Sequence, residues 1–166
     1  SKFTACGINC PVEQVTWHEA SAYCNALSMK QGLEPCYTCT GAGASVICKI
    51  PLNYKGNKIY NCPGYRLPTE AEWEYSYRAG TTTALYNGAI VSCTGADINA
   101  GKIGWYKSNS GLTTHPVRKK APNAWGLYDM AGNVWDWCHD WHQSTYGSNA
   151  VTDPVGSGSK PVLRGG

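Results

Sequence analysis

The sequence predicts a loop-rich fold that mixes two short helices with small strands. Glycine and tryptophan are abundant, with 19 and 7 copies in 166 residues, whereas phenylalanine occurs once and methionine twice. This composition favours irregular structure over a helical bundle, because amphipathic aromatic side chains bring large areas to bury but need partners for their polar edges. Two helix-start signals and one alternating segment, Val134–Trp141, indicate the regular elements.

The length and charge of the chain limit its architecture and its partners. A chain of 166 residues is long enough for one domain that buries about 68–70% of its unfolded surface. The formal net charge is +3, and the densest basic cluster is Arg118, Lys119 and Lys120. A nucleic-acid-binding surface needs a longer basic stripe, so we interpret this cluster as a solvated turn and expect no nucleic-acid partner. No apolar run approaches the ~20 residues that span a bilayer, and Ser1 begins no charged-then-apolar leader.

The cysteine count predicts an oxidised, non-cytosolic protein. Nine cysteines are too many for an ordinary reduced cytosolic domain of this size, so we expect a secreted, periplasmic or cell-surface location. The odd count leaves at least one thiol unpaired or bonded to another chain. We expect a Cys6–Cys10 bridge, a candidate long-range bridge between Cys24 and Cys138, and Cys93 left over. Two further bridges are expected among four cysteines whose connectivity the spacing does not fix: Cys36, Cys39, Cys48 and Cys62.

The first helix is predicted from a capping box. Thr16 and Glu19 form the Thr-x-x-Glu pattern in which hydroxyl and carboxylate satisfy each other's backbone donors, and the helix should run to about Ser28. Apolar residues recur at spacings of three and four and should face the core. They are Trp17, Ala20, Tyr23, Cys24 and Leu27.

A second capping box, from Thr69 to Glu72, predicts the second helix. Trp73 and Tyr77 are four residues apart, and Gly80 is positioned to end the helix. Beyond it, Asn87 and Gly88 form a candidate hairpin turn.

The segment between the helices is predicted to be a cysteine-rich insertion at about 30–64. Its periodicity vanishes, and its cysteines lie among glycine, proline, threonine and asparagine. The Cys36-x2-Cys39 spacing invites a zinc site, but Cys48 and Cys62 do not form the second close pair that a zinc ribbon needs. We therefore interpret the insertion as disulfide-stapled.

The segment Val134–Trp141 alternates like a strand. Four ring-bearing residues share one face and should pack inward, while Asp136 faces the other way. They are Trp135, Trp137, His139 and Trp141. Core packing is preferred over a carbohydrate cleft for four tryptophans. They are Trp125, Trp135, Trp137 and Trp141.

Histidine-bearing clusters are interpreted as structural. One cluster resembles a metal site or a catalytic dyad and comprises Cys138, His139, Asp140 and His142. However, neighbouring strand residues point to opposite faces. His18 and His115 are likewise expected to make polar contacts, and no nucleophile has a neighbouring base.

A series of long, ordered motifs resembles the formylglycine-generating enzyme family, also called sulfatase-modifying factors. The resemblance covers nearly the whole chain apart from the insertion and the stretch near Cys93. The motifs are Pro11–Trp17, Ala22–Cys24, Tyr65–Tyr75, Arg78–Gly80, His115–Val117, Pro122–Trp137 and Val162–Gly166.

The resemblance implies an α+β, C-type-lectin-like architecture with two short helices and small twisted antiparallel sheets. It implies a single partial domain over residues 1–166, clipped at both ends. In the family, the Arg-Gly-Gly element at Arg164–Gly166 leads into the redox cysteine pair that binds copper and oxidises a sulfatase cysteine. None of the nine cysteines occupies that place, so no catalytic residue is assigned. Missing edge strands would expose unpaired sheet edges, so we expect a longer natural chain or strands from another chain.

The resemblance also implies a calcium site. Position by position, the family's ligands correspond to Asp129 and Asp136 through their side chains and to Gly132 and Val134 through their carbonyl oxygens. These are the hard oxygen ligands that calcium prefers. Asp136 replaces the more frequent glutamate and shortens the reach by one methylene. The alternative is that Asn133 and Asp136 only cap a turn. The family's other calcium site has no convincing counterpart near Asp97 and Asn99.

Three function classes remain open from the sequence. The preferred one is a non-catalytic, lectin-like scaffold that binds a protein, a glycan or an assembly partner. The second is a fragment of an active formylglycine-generating oxidase, with copper as cofactor and a sulfatase peptide as substrate. The third is a structural subunit of a larger complex. Fold alone does not decide between them.

Overall fold

A computed structural model describes residues 6–145 and 147–166. The chain forms two compact units. The first unit takes the chain up to Gln14 together with Glu72–Asp136 and Leu163–Gly166. The second unit comprises Val15–Ala71 and Trp137–Val162.

Three α-helices are present in the described residues. They are α1 (Trp17–Lys30), α2 (Glu70–Arg78) and α3 (Ile98–Ile103). The predicted capping box opens α1: the Thr16 hydroxyl accepts from the amide of Glu19 at 3.1 Å, and the Glu19 carboxylate accepts from the amide of Thr16 at 2.8 Å. The start of the first helix is therefore confirmed, and the helix extends two residues past Ser28.

The other two helices belong partly or wholly to the first unit. As expected, α2 begins directly after Thr69, and Trp73 and Tyr77 are buried with their rings stacked 5.3 Å apart. The backbone leaves the helix through Gly80, which has a φ of 90°. The short helix α3 was not predicted, although the Asp97 carboxylate caps it by accepting from two amides.

The strands form three two-stranded sheets in the part of the chain that the structure describes. They are β1 (Thr38–Thr40) with β2 (Ile47–Lys49), β3 (Gly104–Trp105) with β4 (Ala131–Gly132), and β5 (Asp136–Trp141) with β6 (Pro161–Arg164). The pair β1–β2 is antiparallel as expected, whereas β3–β4 is parallel. A long connection between β3 and β4 permits this direction. The reversal near Asn87 and Gly88 is present as a turn closed by hydrogen bonds between Leu85 and Gly88.

The core of the second unit includes much of the cysteine-rich insertion. Short 3₁₀ turns at Gly43–Ser45, Leu52–Tyr54 and Gly56–Asn61 replace longer elements there. Its buried cluster comprises Trp17, Cys24, Cys36, Tyr37, Val46, Cys48, Tyr54, Ile59 and Leu67. Cysteine sulfur thus supplies core volume as well as cross-links, because cysteine packs as a small apolar residue.

Three disulfides form, and the predicted connectivity is partly right. Cys6 bonds Cys10 as expected, and the two insertion bridges are Cys36–Cys62 and Cys39–Cys48. Cys93 is left over and exposed.

The predicted bridge between Cys24 and Cys138 is wrong, since both residues keep buried thiols. Helix α1 meets β5 through the indole of Trp17, whose Nε1 donates to the carbonyl oxygen of Cys138 at 3.0 Å. A disulfide requires Cα atoms roughly 4.4–6.8 Å apart, and the spacing of cysteines along a sequence does not determine that distance.

The predicted buried stripe of α1 is also partly wrong. Trp17 and Cys24 are buried, but Tyr23 is 65% exposed. The buried face instead carries polar side chains, among them Asn25 and Ser28. Each is satisfied: the Ser28 hydroxyl donates to the carbonyl of its own helix at Cys24 and accepts from the amide of Tyr65.

The predicted aromatic wall of the Trp-rich strand forms only in part: Trp137 packs against the core of the second unit, and the ring of Trp141 lies 6.0 Å from that of Trp17. The strand begins at Asp136, and Trp135 before it is 61% exposed. Cys138 and His139 point to opposite faces, yet both are fully buried, so the strand is covered on both sides. Trp125 is also 49% exposed, so core packing is wrong for Trp125 and Trp135.

None of the helices in the described ranges has both the length and the apolar character needed to cross a membrane.

Candidate functional site

The predicted calcium-binding segment lies in the first unit and has an unusual backbone. Asp129, Gly132 and Asn133 all adopt left-handed conformations, with φ values of 56°, 80° and 69°. At Gly132, a Cβ atom would overlap the main chain of Trp105 on the neighbouring strand β3. Only glycine fits this close approach, so the turn that carries the predicted ligands is fixed by the β3–β4 pair.

The two acidic side chains of this segment are held by single hydrogen bonds. One oxygen of Asp129 accepts from the amide of Arg118 at 2.7 Å, and one oxygen of Asp136 accepts from the indole of Trp73 at 3.1 Å. Burial raises the pKa of Asp136 to about 6, the Trp73 hydrogen bond opposes this rise, and the negative charge of Asp129 adds to it. The negative charge of Asp129 therefore disfavours ionisation of Asp136.

The donor set fits a hard cation. Across residues 6–145 and 147–166, neither Asp129 nor Asp136 forms an ion pair with lysine or arginine. The carbonyl oxygen of Gly132 accepts one bond, from the amide of Val134 at 3.0 Å, and retains a second lone pair. The described residues contain no group of three His, Cys, Asp or Glu side chains that could hold a metal, so an ion here would depend on backbone oxygens.

The alternative of simple turn capping explains one of the two polar side chains. The Asn133 amide exchanges two hydrogen bonds with the main chain of His115, at 2.9 and 3.0 Å. Asp136 instead bonds the distant Trp73, so its carboxylate is not needed to close the turn.

Three histidines make polar contacts within the fold. His18 Nδ1 accepts from the amide of Cys48 at 3.1 Å, and a ring nitrogen of His115 lies 2.8 Å from the carbonyl oxygen of Ser110. His139 is fully buried with its Nδ1 3.1 Å from the hydroxyl of Tyr37.

The thiols outside the disulfides lie in different settings. Cys24 and Cys138 are buried, whereas Cys93 is exposed. Burial raises the pKa of the Cys24 thiol to about 11, which keeps it protonated and unreactive at neutral pH. The zinc interpretation of Cys36-x2-Cys39 is also excluded in this structure, because the two sulfurs belong to different disulfides.

An exposed aromatic pair on the first unit was missed by the sequence analysis. Tyr75 on α2 is 69% exposed, and its ring lies 4.9 Å from that of Trp125 in an edge-to-face arrangement. Asn123 holds the loop in place: its side chain donates to the carbonyl of Ser76 at 2.6 Å and accepts from the amides of Trp125 and Leu127. The Asn-Ala-Trp-Gly turn was the available signal, because asparagine favours such turns.

Comparisons with known proteins agree on one family. The model of the sulfatase-modifying factor enzyme 1-like domain matches residues 4–166. The chain is 34% identical over 158 residues to the chaperone protein LppX of Paenibacillus barcinonensis, covering 80% of this chain and 52% of that protein. It is 41% identical over 112 residues to the formylglycine-generating enzyme of Streptomyces coelicolor, covering 62% of this chain and 36% of that enzyme.

A solved structure supports the same assignment. The Treponema denticola variable protein 1 superposes with a TM-score of 0.71 at 37% identity, covering 95% of this chain and 60% of that one. The predicted α+β, C-type-lectin-like fold is confirmed. The chain spans about half or less of the length of these curated relatives. The chain therefore belongs to the formylglycine-generating enzyme, or sulfatase-modifying factor, family.

Proposed function

We propose that this chain is a non-catalytic scaffold of a secreted, periplasmic or cell-surface protein and that it binds a protein partner. The observation that carries the proposal is the use of the cysteines. Six cysteines form disulfides, and two of the other three have buried thiols. The chemistry of the family's oxidases needs a redox-active cysteine pair, and no pair of accessible thiols lies within residues 6–145 and 147–166.

Exposed aromatic side chains support a binding role. Tyrosine and tryptophan are enriched at interface hot spots, and rigid rings lose little conformational entropy on binding. The Tyr75–Trp125 pair has this character, because Asn123 anchors its loop to α2 before any partner arrives. The likeness to a relative named as a chaperone protein favours a protein partner over a glycan.

Calcium has a structural role in this proposal. Asp129 and Asp136 would bind the ion through their carboxylates, and Gly132 and Val134 would bind it through their carbonyl oxygens. A bound divalent cation would favour the charged form of Asp136, whose pKa burial and the charge of Asp129 raise. It would also stiffen the left-handed turn beside β3.

The two units belong, in this proposal, to one partial domain. The family model runs through both of them, from residue 4 to residue 166. Three disulfides support the non-cytosolic location.

A second candidate function is a part of an active formylglycine-generating oxidase. The likeness to enzymes of that name in Streptomyces coelicolor and Mus musculus favours it. It requires copper and a cysteine pair supplied by residues outside this sequence.

Two assays separate these functions. The purified protein is incubated with copper and a cysteine-containing sulfatase peptide, and mass spectrometry should find the cysteine unchanged. Immobilised protein is then exposed to the extracellular proteins of its source. A retained partner should be lost in the double variant Tyr75→Ser/Trp125→Ser and kept in Tyr23→Ser, a control with similar exposure on α1. Catalytic conversion to formylglycine, or equal retention by all three proteins, overturns the proposal.

A further inference from the structure

A groove of about 550 Å³ lies in the second unit between α1 and the segment 35–46. This volume is in the range of ligand-binding clefts, which are mostly apolar with a few placed polar groups. We call it the insertion groove, because one of its walls belongs to the cysteine-rich insertion. Its main lining side chains are Glu19, Ala22, Asn25, Met29, Tyr37 and Val46.

The walls of the insertion groove are held in fixed positions. The Cys39–Cys48 disulfide ties β1 to β2. Helix α1 is fastened to Tyr37, directly before β1, and to β2, because Asn25 pairs with the main chain of Tyr37 and His18 accepts from the amide of Cys48. A groove with such walls needs little reorganisation to bind a ligand.

One edge position of β1 remains open at the groove. In an antiparallel pair, opposed residues alternate between those that bond each other and those whose amide and carbonyl point outward. The amide of Cys48 donates to His18, so the Cys39/Cys48 pair is of the outward type. The Cα atoms of Cys39 and Cys48 are 4.0 Å apart, which agrees with this assignment, because outward-type pairs are closer than pairs that bond each other.

The outward amide and carbonyl of Cys39 therefore point away from β2. At Tyr37, two residues earlier on the same edge, the Asn25 side chain fills the place of a neighbouring strand. Within residues 6–145 and 147–166, no such partner meets the amide and carbonyl of Cys39. An exposed edge of this kind pairs readily with an added strand.

The ends of the groove differ in charge. Glu19 lies in the first turn of α1, and hydrogen bonds from Thr16 lower the pKa of its carboxyl group. It therefore presents a negative charge at neutral pH. Met29 lines the other end, ten residues along the helix, which corresponds to about 15 Å. An extended peptide spans that distance with about four or five residues.

We propose that the insertion groove binds an extended peptide segment of a protein partner. Its apolar side chains enter the groove, its main chain pairs with the amide and carbonyl of Cys39, and a lysine or arginine lies beside Glu19. This inference rests on the proposed function as a protein-binding scaffold and names the chemistry of the partner.

The test uses a library of acetylated and amidated hexapeptides, with binding measured by fluorescence anisotropy. Peptides with alternating apolar residues and one terminal lysine or arginine should bind best. Hydrogen exchange at the amide of Cys39 should slow when the best peptide binds. N-methylation of the peptide amide that pairs with the carbonyl of Cys39 should abolish binding.

Two variants and one control sharpen the test. Met29→Gln should weaken binding about tenfold, because it removes apolar contact. Tyr23→Gln should not, although both side chains are more than 60% exposed on α1. Glu19→Gln keeps the capping box, because glutamine also serves at that position, and should remove only the preference for a basic end.

Three outcomes of the peptide and variant experiments overturn the inference. They are a library without preferred sequences, unchanged exchange at Cys39 in the presence of the best peptide, and equal effects of Met29→Gln and Tyr23→Gln. Binding of a small apolar dye without peptide binding also overturns it. If no peptide binds the insertion groove but the partner is still lost in Tyr75→Ser/Trp125→Ser, the proposed function stands. Tyr75 and Trp125 lie in the first unit, whereas the groove lies in the second.

Discussion

The side chain of Asn25 replaces a neighbouring strand for Tyr37. Its Nδ2 donates to the carbonyl oxygen of Tyr37 at 2.7 Å, and its Oδ1 accepts from the amide of Tyr37 at 3.1 Å. Both residues are buried, with exposures of 7% and 4%. A helix side chain therefore satisfies two main-chain groups that water cannot reach.

Replacing Asn25 by alanine should destabilise the protein by about 2–4 kcal/mol, because two buried main-chain groups would lose their partners. The free energy of unfolding from urea titration measures the effect. Ala26→Ser, at the next and exposed position of α1, is the control and should change stability by less than about 0.5 kcal/mol. Similar values for the two variants would contradict the assigned role of Asn25.

Local signals in the sequence identified where elements begin. The capping box of Thr16 and Glu19 lies within four residues, so its two hydrogen bonds follow from the pattern alone. The pattern of the same helix did not predict which of its side chains are buried. Asn25 and Ser28 face inward because Tyr37 and Tyr65, far along the chain, supply their partners. Partners elsewhere in the chain do not show in the apolar periodicity of the helix sequence.

The same division holds for the candidate sites. Asp129 and Asp136 are seven positions apart, and both were predictable as candidate calcium ligands from the family resemblance. The insertion groove was not, because its walls are assembled by contacts such as that of His18 with Cys48. The proposed bridge between Cys24 and Cys138 failed for the same reason, since spacing gives no distance in space.

The two insertion disulfides should contribute unequally to stability. In the chain-entropy account, a bridge stabilises more when it closes a longer loop. Cys36–Cys62 has a sequence separation of 26 and Cys39–Cys48 a separation of 9. Paired replacement by serine should cost about 3–4 kcal/mol for the first bridge and about 2–3 kcal/mol for the second. Thermal unfolding of both double variants measures the order, and the reverse order would contradict the entropic account.

Asp97 should make stability depend on acid pH. Its carboxylate accepts from the amides of Ala100, Ser92, Val91 and Asn99, and these hydrogen bonds lower its pKa against the opposing effect of burial. A lowered folded-state pKa gives stability that is fully present above the unfolded value of about 4 and is lost as the pH falls through the folded value. Asp97→Asn should be less stable than the parent at pH ~7, and the difference should shrink below pH ~4. Melting temperatures across this range test the trend. A difference that stays constant with pH would show that the charge of Asp97 is not involved.

Calcium should reverse the effect of replacing Asp136. Without the ion, a buried carboxylate beside Asp129 is unfavourable, so Asp136→Asn should be as stable as the parent or more so by about 1–2 kcal/mol. The asparagine oxygen can still accept from the indole of Trp73. With calcium at about a hundred times its dissociation constant, the parent should gain about 2.7 kcal/mol, or roughly 5–10 °C in melting temperature, and the variant should gain little. Differential scanning calorimetry with and without chelator measures both curves.

Magnesium serves as the control ion, because its rigid octahedral preference suits a carbonyl-rich turn poorly. An unchanged parent melting temperature in millimolar calcium, or an equal gain in Asp136→Asn, would exclude Asp136 as a ligand and favour a purely structural role for the turn.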